Sequence, residues 1–374
     1  MKAIRAIISG GGTGGHIFPA LAIAGELKRR NPDTEILFVG ANGRMEMEKV
    51  PAAGYRIEGL DIQGFNRKNP LKNILLPLKL WKSLRKSRRI IRDFKPDIAI
   101  GVGGYASFAL LHEAQALGIP TLIQEQNCFA GKSNQKLGGK AGRICVAYEQ
   151  MDRFFPADKI VLTGNPIRSD MVPATLALRE EGLKFYEMDP ARRHVLIVGG
   201  SLGSRTLNEA VLGWIESGCP GGKDVEILWQ CGKFYKNEVD ARMDALLRLG
   251  VDLRYIHHSA FIARMDLAYA MADLVISRSG ASSISELCAC GKPAVLVPSP
   301  NVTEDHQTVN ARALEKAGAA VIVTDAQARE RLMATALRLS ADKKALERMG
   351  SQALGMALPG AAASIVDEIE KLIG

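Results

Sequence analysis

The stretch IISGGGTGGHIFPALAIAGEL, residues 7–27, joins an apolar β-type run to five glycines in six positions and then to a helix-type pattern. Strand, glycine loop and helix in that order open a Rossmann-like α/β sheet. Glycine lets the backbone come close to a phosphate, and a helix amino end favours negative charge. The stretch therefore predicts an α/β domain that takes an anion on its first loop.

Gly10, Gly12 and Gly15 satisfy the G-x-G-x-x-G pattern of dinucleotide-binding loops. Such a fold also needs an acid at the end of its second strand to hold the ribose. That strand reads EILFVGANG, residues 35–43, and closes on Val39, Gly40, Ala41 and Asn42 with no carboxylate. An NAD-dependent oxidoreductase is thus the weaker alternative. No full G-x-x-x-x-G-K-[ST] pattern occurs either, which excludes a P-loop.

The pattern then restarts. RRHVLIVGGSLGSRTLNEAV, residues 192–211, is again strand, glycine loop and helix. Strands are predicted at residues 4–9, 35–39, 97–101, 121–124, 143–146 and 160–163. After the restart they are predicted at 225–229, 253–256, 274–277, 294–298 and 320–323, with helical patterns between them. Such alternation argues for parallel sheets covered on both faces. A chain of 374 residues with 47% apolar and 24% charged residues suits two soluble domains of ordinary size. GNPIR, residues 164–168, is the expected hinge, and the last helix, residues 361–373, is expected to return to the first domain.

No run approaches 18 apolar residues, so no membrane-crossing helix is expected. The first residues run straight into the loop and are too short for a signal peptide, which predicts a cytosolic chain. Cys128, Cys145, Cys219, Cys231, Cys288 and Cys290 form no C-x-x-C pair and read as small core residues in a reducing compartment. Charge is uneven: up to Asn165 there are 25 Lys and Arg against 14 Asp and Glu, and beyond it 24 against 26. The basic half predicts an anionic partner.

Its centre is RKNPLKNILLPLKLWKSLRKSRRIIRDFK, residues 67–95, with eleven Lys and Arg and one acid interleaved with Leu75, Leu78, Trp81 and further aliphatics. One reading is a solvated helix packed by one face; another is an RNA-binding face, which a single Trp supports poorly. Apolar tips ringed by cations such as Lys82 and Arg85 fit an anionic membrane surface better. RSGASSISE, residues 278–286, sets hydroxyls and Glu286 on a helix start, either as a cap or as a ribose-binding carboxylate. EDHQTVNARAL, residues 304–314, crowds a second helix start with polar groups. QEQN, residues 124–127, ends a strand with four amide or acid side chains. His16, after the first loop, reads as a capping residue or as a general base. No D-x-D occurs, so no metal-bridged diphosphate is indicated and helix amino ends would carry that charge.

GGTGGHIFP, GGYAS (residues 103–107), EQN, GNPIR, GGSLGS, RSGASSISE and HQTVNA come in one order across nearly the whole chain. Together they resemble the MurG-type glycosyltransferases of peptidoglycan synthesis. The resemblance implies the GT-B fold, α/β with two Rossmann-like domains whose parallel sheets face a central cleft. It implies an inverting hexosyltransferase that moves N-acetylglucosamine from UDP-GlcNAc to the muramyl 4-hydroxyl of undecaprenyl-linked lipid I, forming lipid II. Another UDP-sugar enzyme of that fold, such as an epimerase, is the nearest alternative. Residues 1–165 with 358–374 would form the acceptor and membrane-binding domain, and 166–357 the donor-binding domain.

At matching positions the resemblance assigns UDP-GlcNAc to Thr13, Gly14, Gly15, Asn127, Arg168, Ser201, Ile262 through its backbone, Ala281, Ser282, Ser283, Ile284, Ser285, Glu286 and Gln307. The acceptor pyrophosphate falls to Gly10, Gly11, Gly12, Gly103, Gly104 and Tyr105. His16 is the first choice of base and Glu125 its rival. Leu75, Leu78, Trp81, Lys82 and Arg85 would meet the anionic inner membrane at its cytoplasmic face, as a peripheral contact. No nucleic acid, cofactor or metal is expected, and no oligomeric state is specified. The second loop departs from the family, which commonly carries Gln where this chain has Leu202 and Ala where it has Ser204; Leu202 offers no hydrogen bond.

Overall fold

The computed structural model describes residues 2–12, 14–64, 74, 76–200, 202–302 and 305–374. Thr13, Leu75 and Ser201 lie outside the described residues. The chain divides into two compact units, Met1–Arg168 with Leu358–Gly374, and Ser169–Ala357.

The first unit holds strands β1 (Arg5–Gly10), β2 (Glu35–Ala41), β3 (Arg56–Leu60), β4 (Ile98–Gly103), β5 (Thr121–Glu125), β6 (Arg143–Val146) and β7 (Ile160–Leu162). Its helices are α1 (Gly14–Arg30), α2 (Glu46–Ala52), α3 (Leu76–Phe94), α4 (Tyr105–Ala116) and α5 (Lys132–Gly138). The sheet order is β3-β2-β1-β4-β5-β6-β7 and every pairing is parallel. Successive strand residues face opposite sides, and the core divides accordingly. Ile7, Leu37, Val39 and Ala99 pack with α3 and α4 residues such as Ile91 and Leu110. Ile8, Ile36, Phe38 and Ile100 pack on the other face with Ala20, Ile23 and Leu27 of α1.

The second unit holds α6 (Leu176–Phe185), β8 (Arg193–Val198), α7 (Arg205–Glu216), β9 (Val225–Gln230), α8 (Lys236–Arg248), β10 (Ile256–Ser259), α9 (Met265–Met271) and β11 (Leu274–Ser277). It continues through α10 (Ala281–Ala289), β12 (Ala294–Leu296), α11 (His306–Lys316), β13 (Ala320–Ile322), α12 (Ala328–Ser340) and α13 (Lys343–Gly355). Its parallel sheet has the order β10-β9-β8-β11-β12-β13, the same winding as the first. The final helix α14 (Ala361–Ile373) belongs to the first unit, where Ile365, Val366 and Ile369 join the α1 face of the core. Arg30 of α1 reaches Asp367 at 2.7 Å and Glu370 at 3.1 Å, and Arg143 reaches Glu368 at 3.0 Å.

Two parallel, helix-covered sheets bear out the expected α/β class. Two strands differ from expectation, and both stand at a sheet edge. β3 was not predicted, because RIEGL sets Arg56 and Glu58 outward and shows little apolar alternation. β10 lies at Ile256–Ser259 and not at residues 253–256, because its side chains are polar: His257 meets Glu226 and His258 meets Asp240, each at 2.7 Å.

Candidate active site

In the first sheet the winding reverses between β1 and β4, so their helices leave to opposite faces and a crevice opens at the strand ends. The pairing register shifts between Ser9 and Gly10, which sets Gly10 against Gly103 as both strands turn into their loops. α4 starts without a side-chain cap, on Gly104. The first N–H groups of α1 and α4 have no intrahelical acceptor, and two such ends beside one crevice make a ready anion site. Tyr105, half exposed, opens α4 and lies against Gly64.

The two loops are packed too closely for side chains. A β-carbon on Gly104, at φ +96°, would fall 2.8 Å from the Gly11 carbonyl oxygen. A β-carbon on Gly103, at φ +104°, would fall 2.9 Å from His16 Nε2. Glycine there is a requirement of close approach as well as of backbone conformation.

His16 Nδ1 lies 2.9 Å from the Gly11 carbonyl oxygen. A carbonyl only accepts, so in the neutral ring Nδ1 carries the proton and Nε2 the lone pair. Among the described residues Nε2 has no hydrogen-bond partner, and the side chain is part-buried beside the β4–α4 loop. The imidazole therefore bonds the loop carbonyl and does not serve as a helix cap.

One residue that holds this loop was missed in the sequence. Glu46, fully buried, accepts from the Gly12 N–H at 2.9 Å and from the Ala41 N–H at 3.0 Å. A β-carbon on Gly11 would collide with its carboxylate. The acid absent from the end of β2 thus stands at the start of α2, turned inward under the loop, where both its oxygens serve backbone donors rather than a ribose. Its signal in the sequence was only an acid soon after a strand, without the direction of its side chain. A consequence is that Gly12 does not offer its N–H to a phosphate; Gly10, Gly11 and Gly12 shape the loop, and Gly14 and Gly15 start the helix beyond it.

Glu125, the rival base, is also buried, and its carboxylate accepts from the Asn127 N–H at 3.1 Å, the Gly131 N–H at 3.0 Å and Asn134 Nδ2 at 2.8 Å. It organises the β5–α5 loop that carries Asn127. Gln124 donates to Asn165 Oδ1 at 3.0 Å, Gln126 to the Val102 carbonyl at 2.8 Å, and Asn165 to the Gln126 carbonyl at 3.1 Å. QEQN is therefore largely a buried polar network that fixes strand ends. Burial pushes the neighbouring Cys128 thiol up to about 11, which keeps it protonated and unreactive at neutral pH. Arg168 is exposed at the end of the first unit's main segment.

In the second unit the winding reverses between β8 and β11. Gly203 at φ +90° packs directly on Gly232, and Ser204 caps α7 through Leu207 N–H. Leu202 is exposed. Arg278 donates to Ser204 Oγ at 3.0 Å, the Val297 carbonyl at 3.0 Å and Asp325 at 2.6 Å, so it braces the loops. α10 starts on Gly280 with no side-chain cap, leaving the N–H groups of Ala281, Ser282 and Ser283 for an anion. The Ser282 hydroxyl is shielded and has no partner among the described residues. Ile284 is buried and its N–H donates to the Gly280 carbonyl at 3.0 Å, and the Ser285 hydroxyl donates to the Ala281 carbonyl at 3.0 Å.

Glu286 sits one turn into α10 and accepts from the Tyr269 hydroxyl at 3.2 Å. Gln307 accepts from the Ser299 N–H at 2.9 Å through Oε1, which leaves its Nε2 without a partner among the described residues. The Ile262 N–H donates to Gln230 Oε1 at 2.9 Å, and Gln230 Nε2 donates to the Gly200 carbonyl at 3.0 Å. Gln230 was not singled out in the sequence; it ties the glycine loop to the segment expected to meet a base, and it leaves the Ile262 carbonyl as the group for a ligand donor.

Away from these sites, α3 buries Ser83, Ser87, Ile90, Ile91 and Phe94 and exposes the opposite face. Leu78 and Trp81 are 48% and 52% exposed, Lys82 and Arg85 are exposed beside them, and the Arg85 guanidinium lies 4.8 Å from the Trp81 ring centre. Further along, Arg85, Arg88, Arg89, Arg92 and Asp93 line a surface hollow of about 590 Å³.

Residues 6–146 match the glycosyltransferase family 28 N-terminal domain and residues 194–368 the family's C-terminal domain. A protein of Parabacteroides distasonis is 52% identical over 373 residues, covering 100% of this chain and 99% of its own length. One of Christiangramia forsetii is 49% identical over 374 residues, covering 100% and 98%. Both are named UDP-N-acetylglucosamine–N-acetylmuramyl-(pentapeptide) pyrophosphoryl-undecaprenol N-acetylglucosamine transferase. The crystal structure of Acinetobacter baumannii MurG is similar with a TM-score of 0.76 and 29% identity, covering 99% of this chain and 100% of that one.

Proposed function

The chain belongs to glycosyltransferase family 28, and we infer from it and from the site that this enzyme transfers N-acetylglucosamine from UDP-GlcNAc to undecaprenyl-pyrophosphoryl-N-acetylmuramyl-pentapeptide. The product is lipid II, the disaccharide precursor of peptidoglycan. The observation that carries this reading is identity of 52% over the full chain with a relative of that named activity.

The second unit takes the donor. The uncapped start of α10 supports a diphosphate at Ala281, Ser282 and Ser283, and Glu286 one turn on supports a ribose. The uracil N3–H meets the Ile262 carbonyl, and Gln307 Nε2 reaches donor oxygens. The first unit takes the acceptor, whose pyrophosphate lies at the start of α4, near Gly104 and Tyr105.

His16 is the base. Its Nε2 accepts the proton of the muramyl 4-hydroxyl as that oxygen forms a bond to C1 of N-acetylglucosamine. The bond from C1 to the diphosphate oxygen breaks on the opposite face, and UDP leaves with the electron pair. One displacement turns the α-linked donor into a β-1,4 link. Helix amino ends and backbone N–H groups stabilise the departing charge. Glu125, saturated by loop donors, holds Asn127 in place.

The exposed face of α3 seats the enzyme on the anionic cytoplasmic surface of the membrane, with Leu78 and Trp81 entering the interface and the arginines meeting lipid phosphates. Among the described residues no helix is long and apolar enough to cross a membrane, and the proposed contact is peripheral.

The test is product analysis. Enzyme given UDP-GlcNAc and a short-chain lipid I analogue is expected to yield a β-1,4-linked disaccharide lipid by NMR. Conversion of UDP-GlcNAc to a free or epimerised sugar, with the acceptor untouched, would instead establish the epimerase alternative.

A further inference from the structure

Glu46 and His16 touch opposite ends of one peptide group. The Gly12 N–H donates to Glu46 Oε2 at 2.9 Å, and the carbonyl of the same peptide, that of Gly11, accepts from His16 Nδ1–H at 2.9 Å. Ala41 N–H, at 3.0 Å, fixes the second carboxylate oxygen, and the acid is fully buried. Hydrogen bonds in series polarise one another, most strongly where water is excluded. A carboxylate on the N–H of a peptide pushes electron density toward its carbonyl oxygen, which then accepts more strongly from the imidazole.

We propose that Glu46 is a positioning residue that acts on His16 through the Gly11–Gly12 peptide. The arrangement does what a carboxylate does when bonded directly to a catalytic histidine: it holds the Nδ1–H tautomer and stabilises the imidazolium formed when Nε2 takes a proton. The interposed peptide also explains the tight glycine packing, since a β-carbon on Gly11 would displace the carboxylate and one on Gly104 would press on the Gly11 carbonyl. This inference rests on the reading of His16 as the base, and its test separates the two.

Nitrogen-15 NMR of the histidine-labelled enzyme, without substrates, reads the His16 tautomer directly. The Nδ1–H form is expected to dominate in the native enzyme and to lose that dominance in Glu46→Gln. Glu46→Gln is further expected to lower kcat roughly ten-fold or more with the KM for UDP-GlcNAc within about two-fold. Glu46→Asp, which keeps the charge on a shorter arm, retains more turnover and serves if the glutamine variant does not fold. The double variant Glu46→Gln/His16→Ala is expected to be no slower than His16→Ala alone. An unchanged tautomer in the folded Glu46→Gln enzyme, or a double variant markedly slower than His16→Ala, would overturn the relay. Near-normal turnover of His16→Ala would overturn the base assignment while leaving the tautomer result to decide the relay.

Discussion

In the proposed mechanism His16→Ala removes the acceptor of the attacking hydroxyl's proton and leaves the groups proposed to bind the donor in the second unit in place. Turnover is expected to fall by about 10²- to 10⁴-fold, the usual contribution of a positioned base, with the KM for UDP-GlcNAc changed little; steady-state kinetics in both substrates checks this. Gly103→Ala is expected to lower turnover as well, because its β-carbon would press on Nε2 from a backbone at φ +104°, with a destabilisation of roughly 1–3 kcal/mol measurable by urea unfolding. His16 was legible as a candidate because a histidine follows a glycine loop at a helix start. What the sequence did not carry was direction. Glu125, the rival base, has three donors around its carboxylate and is turned into its own loop. Glu46, an ordinary acid on paper, turns inward to hold the loop.

At the scale of elements, α3 makes the clearest prediction. Its cations each add roughly 1 kcal/mol to binding at an anionic surface, so Arg85→Glu with Arg89→Glu is expected to lower partitioning onto phosphatidylglycerol-containing vesicles by well over ten-fold. Sedimentation with vesicles checks it, and raised salt is expected to weaken the native enzyme in the same direction. Trp81→Ser removes the apolar anchor and is expected to weaken binding with little change in salt dependence. Native-like binding by both variants would contradict the membrane role. The basic-apolar pattern of this helix was readable because charge and aliphatic spacing are local properties. The edge strands β3 and β10 were not, because a short strand of charged or histidine residues gains its place from a neighbouring strand and not from its own pattern.

The whole molecule repeats one winding twice, and that was legible because the strand, glycine loop and helix recur 189 residues on, from Gly10 to Gly199. Stability carries a pH signature from the second unit. Lys292, buried with its ammonium on the Ala272 carbonyl at 3.0 Å, is lowered by burial from 10.5 to about 8. Between pH 8 and 10.5 the unfolded chain keeps a proton that the native fold has released. The cost of burying the charge is therefore full below pH 8 and disappears as pH rises through that window, so this group makes stability climb by up to about 1.4 kcal/mol per pH unit. Lys292→Met is expected to flatten that rise, and urea unfolding of both proteins at pH 8, 9 and 10 checks it; parallel curves would contradict it.

The proposed transfer is tested most directly by release of UDP from UDP-GlcNAc, followed with and without a lipid I analogue in the presence of EDTA. Release is expected to depend on the acceptor and to proceed without added metal, since the proposed mechanism holds the leaving diphosphate at helix amino ends. Release without acceptor, or none with it, would contradict the transferase that the two loops and His16 are argued to form.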